Sequence, residues 1–192
     1  GDNDPVVIAA DMLAQAEHDP DASAMLVTGD AVFAERVREE LEAQLAVLPR
    51  REIAAASLKN NGFILLTDGT METALKISNL IAPEHLELCV DEPLQYLPRI
   101  RNAGSIFLGR YSPEPLGDYM AGPNHTLPTG GSARFSSPLS VDDFVTASQF
   151  TCYTKKALEK IAPSIVRFAR EEGLQGHARS ILSRFEDHID EQ

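Results

Sequence analysis

The amino-acid sequence predicts an α/β fold: a mainly parallel sheet flanked by helices, followed by a C-terminal helical appendage. Two observations predict this class. Up to Gly109, short apolar segments with strand character alternate with segments of helical period, which is typical of a parallel sheet. After Pro138, the remaining segments have helical spacing. With 192 residues, 43% of them hydrophobic, the chain is long enough to bury one sizeable core.

The elements follow from local pattern and from start signals. Residues 24–28, 62–67, 85–90 and 104–109 are predicted strands, and residues 5–18, 30–48, 71–81 and 93–100 are predicted helices. Asp30 is a candidate N-cap, and Asp-Gly-Thr at 68–70 is a second start signal. We expect an α/β domain over residues 1–138. A mainly helical appendage is expected over 139–192, with helical spacing in 141–150, 155–173 and 174–189.

Composition excludes several classes of partner. The formal net charge of −12 and the absence of a basic block argue against binding to nucleic acid. No stretch approaches the length of a membrane span and the first residues are acidic, so a cytoplasmic protein is expected. Cys89 and Cys152 form no Cys-x-x-Cys motif and are expected to be free, buried thiols in a reducing compartment.

The sequence Gln-Ala-Glu-His at 15–18 is a candidate for metal binding. Gln15 and His18 are three residues apart, so they share one face of a helix, and imidazole is a good ligand for zinc. The alternative is an ordinary helix end, with His18 close to the negative end of the helix dipole. Spacing alone leaves both interpretations open.

Pro-Glu-His at 83–85 stands where a helix meets a strand. Glu84 and His85 are adjacent groups that can move protons near neutral pH, which suits general acid–base catalysis. An ion pair or a capping interaction is the alternative.

Residues 116–138 are too rich in Gly, Pro and Ser for a regular element, and they carry Asp118, His125 and Arg134. Long irregular loops in compact domains are usually functional or disordered. Apolar residues that can anchor the segment favour an ordered, functional loop; they are Leu116, Tyr119, Met120, Leu127 and Phe135. For Arg134 and the preceding Gly-Gly-Ser, the sequence suggests only a role in anchoring the loop.

A last candidate group lies near the C-terminus, where Glu172 and His177 flank a predicted helix break at Gly173. His177 can complete a metal site with Gln15, His18 and Asp118. Such a set of nitrogen and oxygen ligands suits zinc. Spacing does not establish that these four residues meet.

Taken together, the segments AQAEHDPDA, NLIAPEHLEL, AGSIFLG, SPEPLGDYMAGPNHTLPTGGSARFSSPLSVDDF and EGLQGHARS closely resemble the histidinol dehydrogenase family, in order over nearly the whole chain. The resemblance implies an incomplete Rossmann-like domain and oxidation of L-histidinol, through an aldehyde, to L-histidine. This is the last step of histidine biosynthesis and uses two NAD and one zinc ion. Zinc in this family positions the imidazole and amino nitrogens of the substrate.

The resemblance also assigns residues. It implies that Glu84 and His85 are the catalytic proton-transferring pair. The implied zinc ligands are Gln15, His18, Asp118 and His177, and the implied substrate contacts are these four together with His85, His125 and Glu172. His85 would take the hydroxyl proton, and Glu84 would activate the water that adds to the aldehyde.

Family members are more than twice as long as this chain, which resembles their C-terminal portion. The upstream part that holds most NAD contacts is not present, and no Gly-x-Gly-x-x-Gly occurs, so this chain alone is expected to be inactive. The resemblance further implies a homodimer in which the C-terminal segment is exchanged between subunits. The alternatives are a stand-alone, non-catalytic metal-binding or dimerisation module, and a zinc hydrolase, although the His-Glu-x-x-His motif is missing.

Overall fold

The computed structural model describes residues 3–185. The chain divides into two compact units, Gly1–Val145 (the N-terminal unit) and Thr146–Gln192 (the C-terminal unit). The N-terminal unit contains α1 (Pro5–Ala16), β1 (Met25–Thr28), α2 (Ala31–Leu45), α3 (Arg51–Asn61), β2 (Phe63–Leu66), α4 (Met71–Ile81), β3 (His85–Leu88), β4 (Ser105–Leu108) and α5 (Glu114–Tyr119). The C-terminal unit contains α6 (Lys155–Glu171) and α7 (Gln175–Leu182). Within residues 3–185, three short 3-10 helices cover Pro93–Arg99, Ser132–Arg134 and Val141–Phe144.

The predicted α/β class and the parallel pairing of strands are confirmed. β1 pairs with β2, and Met25 stands opposite Phe63; β3 pairs with β4, and His85 stands opposite Ser105. Within residues 3–185 the four strands form two separate two-stranded sheets and not one larger sheet. The turns after β1 and β2 touch each other, since a Cβ on Gly29 would lie 2.1 Å from Gly69 Cα.

The core of the N-terminal unit surrounds α1, which packs against α2 and α3. Asp4 caps α1 and Pro5 occupies its first turn, which is a favourable start for a helix. Ile8, Met12 and Leu13 are buried among apolar residues of the neighbouring helices, including Val37 and Leu41. This packing fixes the C-terminal end of α1, which carries Gln15. The helix ends at Ala16, so the prediction that Gln15 and His18 share a helical face is wrong: His18 lies two residues beyond the helix.

Several local predictions are confirmed and others are wrong. Asp30 accepts hydrogen bonds from Val32 and Phe33 as the N-cap of α2, and Thr70 caps α4. The irregular segment 116–138 begins inside α5, because Pro115 and Glu114 favour a first helical turn. Helix α3 was not predicted, since its buried face consists of the small residues Ala54 and Ser57 and gives little apolar signal.

The predicted helix over 141–150 is also wrong beyond its first turn. Ser140 caps the 3-10 helix Val141–Phe144, but the chain is irregular from there to Thr154, which caps α6. Phe144, Val145 and Phe150 are exposed, so a helix here would bury no apolar face to stabilise it.

In the C-terminal unit, α6 and α7 pack together through Val166, Ala169 and Ala178. Gly173, in the left-handed conformation, separates them as predicted. Residues 186–189 of the predicted terminal helix lie outside the described residues. Cys152 is exposed, contrary to the predicted burial, while Cys89 is half-buried and its burial raises the pKa of the thiol to about 11. No helix within residues 3–185 has both the length and the apolar character needed to cross a membrane.

Candidate functional site

A cavity of about 260 Å³ opens where the end of α1 meets the start of α3 and one face of α5. Its lining mixes small apolar residues with ionisable ones: Ala14, Glu17, His18, Arg50, Glu114, Pro115, Asp118 and Tyr119. Arg50 donates a hydrogen bond to the carbonyl oxygen of His18 at 3.3 Å, so α3 helps to hold the chain at the end of α1.

Three side chains converge at this cavity: His18, Glu114 and Asp118. One potential ligand atom from each lies within 4.8 Å of the other two. Glu114 and Asp118 are four residues apart on α5 and therefore share one face of that helix. An imidazole nitrogen and two carboxylates are a donor set that zinc and similar divalent cations accept, so these residues fit a metal ion.

Glu114 is the most deeply buried of the three. Its side chain is 7% exposed, and within the described residues its Oε1 has no hydrogen-bond partner. Burial, followed by the charge of the neighbouring Asp118, raises the pKa of Glu114 to about 7. An unpaired buried carboxylate is unfavourable, and a bound cation or a hydrogen-bond donor would relieve this cost.

His85 lies beside this cluster at the start of β3. Its Nδ1 is 3.2 Å from Gln15 Oε1, and its Nε2 is 3.8 Å from Glu114 Oε1. The imidazole contacts the ring of Phe107, with centroids 6.0 Å apart. Burial lowers the pKa of His85. The imidazole is therefore neutral at neutral pH, which suits a proton acceptor.

Glu84 is half-buried next to His85. Burial raises the pKa of Glu84, and the nearby His18 partly offsets this effect. The backbone here is held closely: Ser105 N donates to Glu84 O at 2.7 Å, and a Cβ on Gly104 would lie 2.6 Å from that same oxygen. Ala82, left-handed at φ 53°, turns the chain out of α4 toward this position.

Helix α5 is positioned by β3 and β4. Glu87, on β3, accepts a hydrogen bond from Glu114 N at 2.7 Å. Gly117 lies against the ring of Phe107, where a Cβ would come within 2.7 Å of two ring carbons. These two contacts place Glu114 and Asp118 opposite His18.

The segment after α5 is held by polar contacts and one proline. Arg134 donates to the carbonyl oxygens of Gly131 and Leu80, so it joins the loop to the C-terminal end of α4. Pro128 is buried and packs near Gly104. The prediction that five apolar side chains anchor the segment is wrong for four of them. These four are exposed: Leu116, Tyr119, Met120 and Phe135. Their neighbours in the loop are too polar to form a core with them.

The predicted site residues thus fall into three groups. Gln15, His18, Glu84, His85 and Asp118 lie on or beside the converging elements of the N-terminal unit. His125 is exposed in the loop, and its substrate contact stays a prediction. Glu172 caps the end of α6 and His177 is exposed on α7, both in the C-terminal unit, and their participation also stays a prediction.

Sequence reasoning missed Glu114. The available signal was the Glu-Pro-Leu-Gly-Asp spacing at 114–118, which places both carboxylates on one helical face. The sequence predicts an irregular backbone from residue 116, and residues four apart become neighbours only on a helix, so the pair was not recognised.

The chain matches known proteins in sequence and in fold. The family model described as histidinol dehydrogenase matches residues 1–185. The chain is 57% identical over 180 residues to histidinol dehydrogenase of Bacillus cereus, covering 94% of this chain and 42% of that protein. It is 56% identical to the enzyme of the same name from Halalkalibacterium halodurans over 183 residues, covering 95% and 43% respectively.

A solved structure shows the same fold. The crystal structure of histidinol dehydrogenase from Elizabethkingia anophelis superimposes with a TM-score of 0.85 at 40% sequence identity, over 96% of this chain and 42% of that one. The chain spans about two fifths of the length of these relatives. With a family model that matches nearly its whole length and relatives above 50% identity, this chain belongs to the histidinol dehydrogenase family.

Proposed function

We propose that these 192 residues are the zinc-binding and proton-transferring part of a zinc- and NAD-dependent histidinol dehydrogenase. The longer enzyme would oxidise L-histidinol, through L-histidinal, to L-histidine in the cytoplasm, as the last step of histidine biosynthesis. The observation that carries the proposal is the imidazole of His85, which lies between Gln15 and Glu114 beside the converging side chains of His18 and Asp118.

Gln15, His18, Asp118 and His177 are proposed to hold the zinc ion. When bound, zinc would act as a Lewis acid that positions the nitrogen atoms of the substrate. The convergence of His18 and Asp118 at one cavity supports two of these four assignments. Gln15 is in the last turn of α1, three residues before His18, and its amide oxygen faces His85. His177 is proposed to come from the other subunit of a homodimer.

His85 and Glu84 are proposed to move the protons. His85 accepts the proton of the substrate hydroxyl, while the carbon that bears this hydroxyl loses a hydride, for which NAD would be the acceptor. The lowered pKa of His85 keeps its imidazole neutral and able to accept the proton. Glu84 then takes a proton from the water that adds to the aldehyde carbon. The orientation of His85 is supported at Nδ1, which lies 3.2 Å from Gln15 Oε1, and this leaves Nε2 to accept the proton.

The remaining assignments concern ligand contacts. His125 and Glu172 are proposed to contact the substrate, and the contacts to NAD are proposed to come from outside these 192 residues. On this proposal the chain alone has no dehydrogenase activity.

The proposal is tested by NADH formation with L-histidinol, measured by absorbance. We expect no turnover by the 192-residue chain, and turnover by a full-length enzyme that carries these residues. Substitution His85→Asn in the full-length enzyme should abolish most turnover, while the matched exposed control His125→Asn should chiefly weaken substrate binding. Turnover by the chain alone would refute its inactivity. Full activity of the His85→Asn enzyme would refute the proton-transfer role.

Zinc content gives an independent test that needs no NAD. We expect the chain to bind zinc, and His18→Ala and Asp118→Ala to reduce the zinc content measured by elemental analysis. An unchanged metal stoichiometry in both variants would remove the proposed site.

A further inference from the structure

Glu114 has no role in the mechanism proposed above, yet it is the most buried ionisable group at the cavity. Its side chain is 7% exposed, and within residues 3–185 its Oε1 accepts no hydrogen bond. The backbone N–H of the same residue is bound by Glu87, so α5 cannot easily rotate this carboxylate out to solvent. A buried acceptor held without a donor points to a ligand that supplies one.

The surroundings of Glu114 define the chemistry of that ligand. Its Oε1 is 3.8 Å from His85 Nε2, which is beyond hydrogen-bond distance. The carboxylate also shares its face of α5 with Asp118, so its surroundings are rich in acceptors and favour a ligand that donates an N–H. The missing donor therefore has to reach a point next to the nitrogen that accepts the substrate hydroxyl proton.

A 1,2-amino alcohol has this shape, because its hydroxyl and its amino group are on adjacent carbons, roughly 3 Å apart. Two acceptors 3.8 Å apart can take the O–H and an N–H of such a molecule at the same time. We propose that Glu114 accepts a hydrogen bond from the substrate's amino group while His85 faces the hydroxyl. Glu114 is then a substrate-positioning residue that selects for an amine next to the carbinol carbon. This inference rests on the proposed function, whose substrate L-histidinol is such an amino alcohol.

The test compares two ligands on two forms of the zinc-loaded chain by isothermal titration calorimetry. The ligands are L-histidinol and its deamino analogue 3-(imidazol-4-yl)propan-1-ol. Loss of a charge-assisted hydrogen bond predicts that Glu114→Gln weakens L-histidinol binding by about tenfold to a hundredfold. The same substitution should change binding of the deamino analogue by less than about twofold, because that ligand has no amine to lose.

Two control measurements establish whether the effect is specific to Glu114 and independent of the metal. Glu39→Gln, at an exposed position on α2 outside the cavity, should bind both ligands like the unmodified chain. Zinc affinity of the Glu114→Gln chain should stay within about twofold of that of the unmodified chain. If circular dichroism shows that the Glu114→Gln chain does not fold, Glu114→Asp replaces it. Aspartate keeps the charge but is shorter by one methylene group, so its oxygen lies farther from the ligand. The ratio of L-histidinol affinity to deamino-analogue affinity should then still fall by about threefold or more.

Equal weakening for both ligands, or a large loss of zinc affinity, would overturn the inference and leave the proposed function standing. Unchanged L-histidinol binding by the Glu114→Gln chain would do the same. Failure of the unmodified, zinc-loaded chain to bind L-histidinol would overturn the proposed function as well as this inference. Binding by the unmodified chain therefore tests the proposed function, and the comparison with Glu114→Gln tests the inference.

Discussion

Glu87 connects β3 to α5, and its environment makes the stability of the N-terminal unit depend on pH. Burial, with a smaller contribution from the neighbouring Asp11, raises the pKa of Glu87 from 4.5 to about 7, although the hydrogen bond from Glu114 N opposes the shift. The folded chain therefore holds this proton more tightly than the unfolded chain does. The resulting stabilisation is fully present below pH 4.5 and is lost as the pH rises through 7.

The magnitude follows from the size of the shift. A pKa that differs by one between the folded and the unfolded chain is worth about 1.4 kcal/mol. The change from 4.5 to about 7 therefore corresponds to about 3 kcal/mol. Glu87 is only half-buried and interacts with the carboxyl group of Asp11, and solvent screening reduces the expected effect to about 1 to 2 kcal/mol.

The substitution Glu87→Gln isolates this effect, because the amide oxygen can still accept from Glu114 N while the side chain no longer titrates. We expect the variant and the unmodified chain to unfold at similar urea concentrations at about pH 4, where the side chain is protonated in both states. At about pH 8 the variant should be more stable by about 1 to 2 kcal/mol. Glu39→Gln, at an exposed position on α2, serves as the control and should not alter the pH dependence. If the Glu87→Gln chain lost stability with pH as steeply as the unmodified chain, the reasoning would be refuted.

Three other substitutions test how the site is held. Gly117→Ala would place a methyl group 2.7 Å from the ring of Phe107 and should destabilise the chain by about 1 to 3 kcal/mol, seen as a lower thermal midpoint; an unchanged midpoint would contradict the close packing. Arg134→Ala removes the loop's hydrogen bonds to Gly131 and Leu80 and should speed limited proteolysis within 120–138, whereas equal cleavage rates would show that Arg134 does not anchor the loop. Asp30→Ala removes the N-cap of α2 and should cost about 1 kcal/mol in urea unfolding, with Asp30→Asn retaining most of the stability.

Much of the fold could be predicted because the strong local signals agree with the packing. The strands begin where short apolar segments begin, and the caps Asp30 and Thr70 start the helices that they were expected to start. The failures occur where local pattern and packing diverge. Helix α3 buries small residues that carry little apolar period, and the segment after Phe144 has a helical pattern with no surface to cover.

The site was predictable in its residue types but not in its contacts. Gln15 and His18 could be paired from their three-residue spacing, and Glu84 and His85 from their adjacency. The approach of His85 to Gln15, 70 residues away, depends on how β3 packs beside α1, which no local pattern encodes. Glu114 was missed for a related reason: its carboxyl group lies close to that of Asp118 only because both residues are on one face of the helix α5.

One face of strand β3 positions both His85 and helix α5 in the candidate site. His85 and Glu87 are two residues apart on β3, so both side chains point to the same face. Glu87 binds the backbone N–H of Glu114, and His85 faces the carboxyl group of that same residue. The register of β3 against β4 therefore fixes the position of α5 and its distance from the proton-accepting imidazole together. A slip of one residue would turn both groups to the opposite face and separate His85 from Glu114, Asp118 and His18 at once.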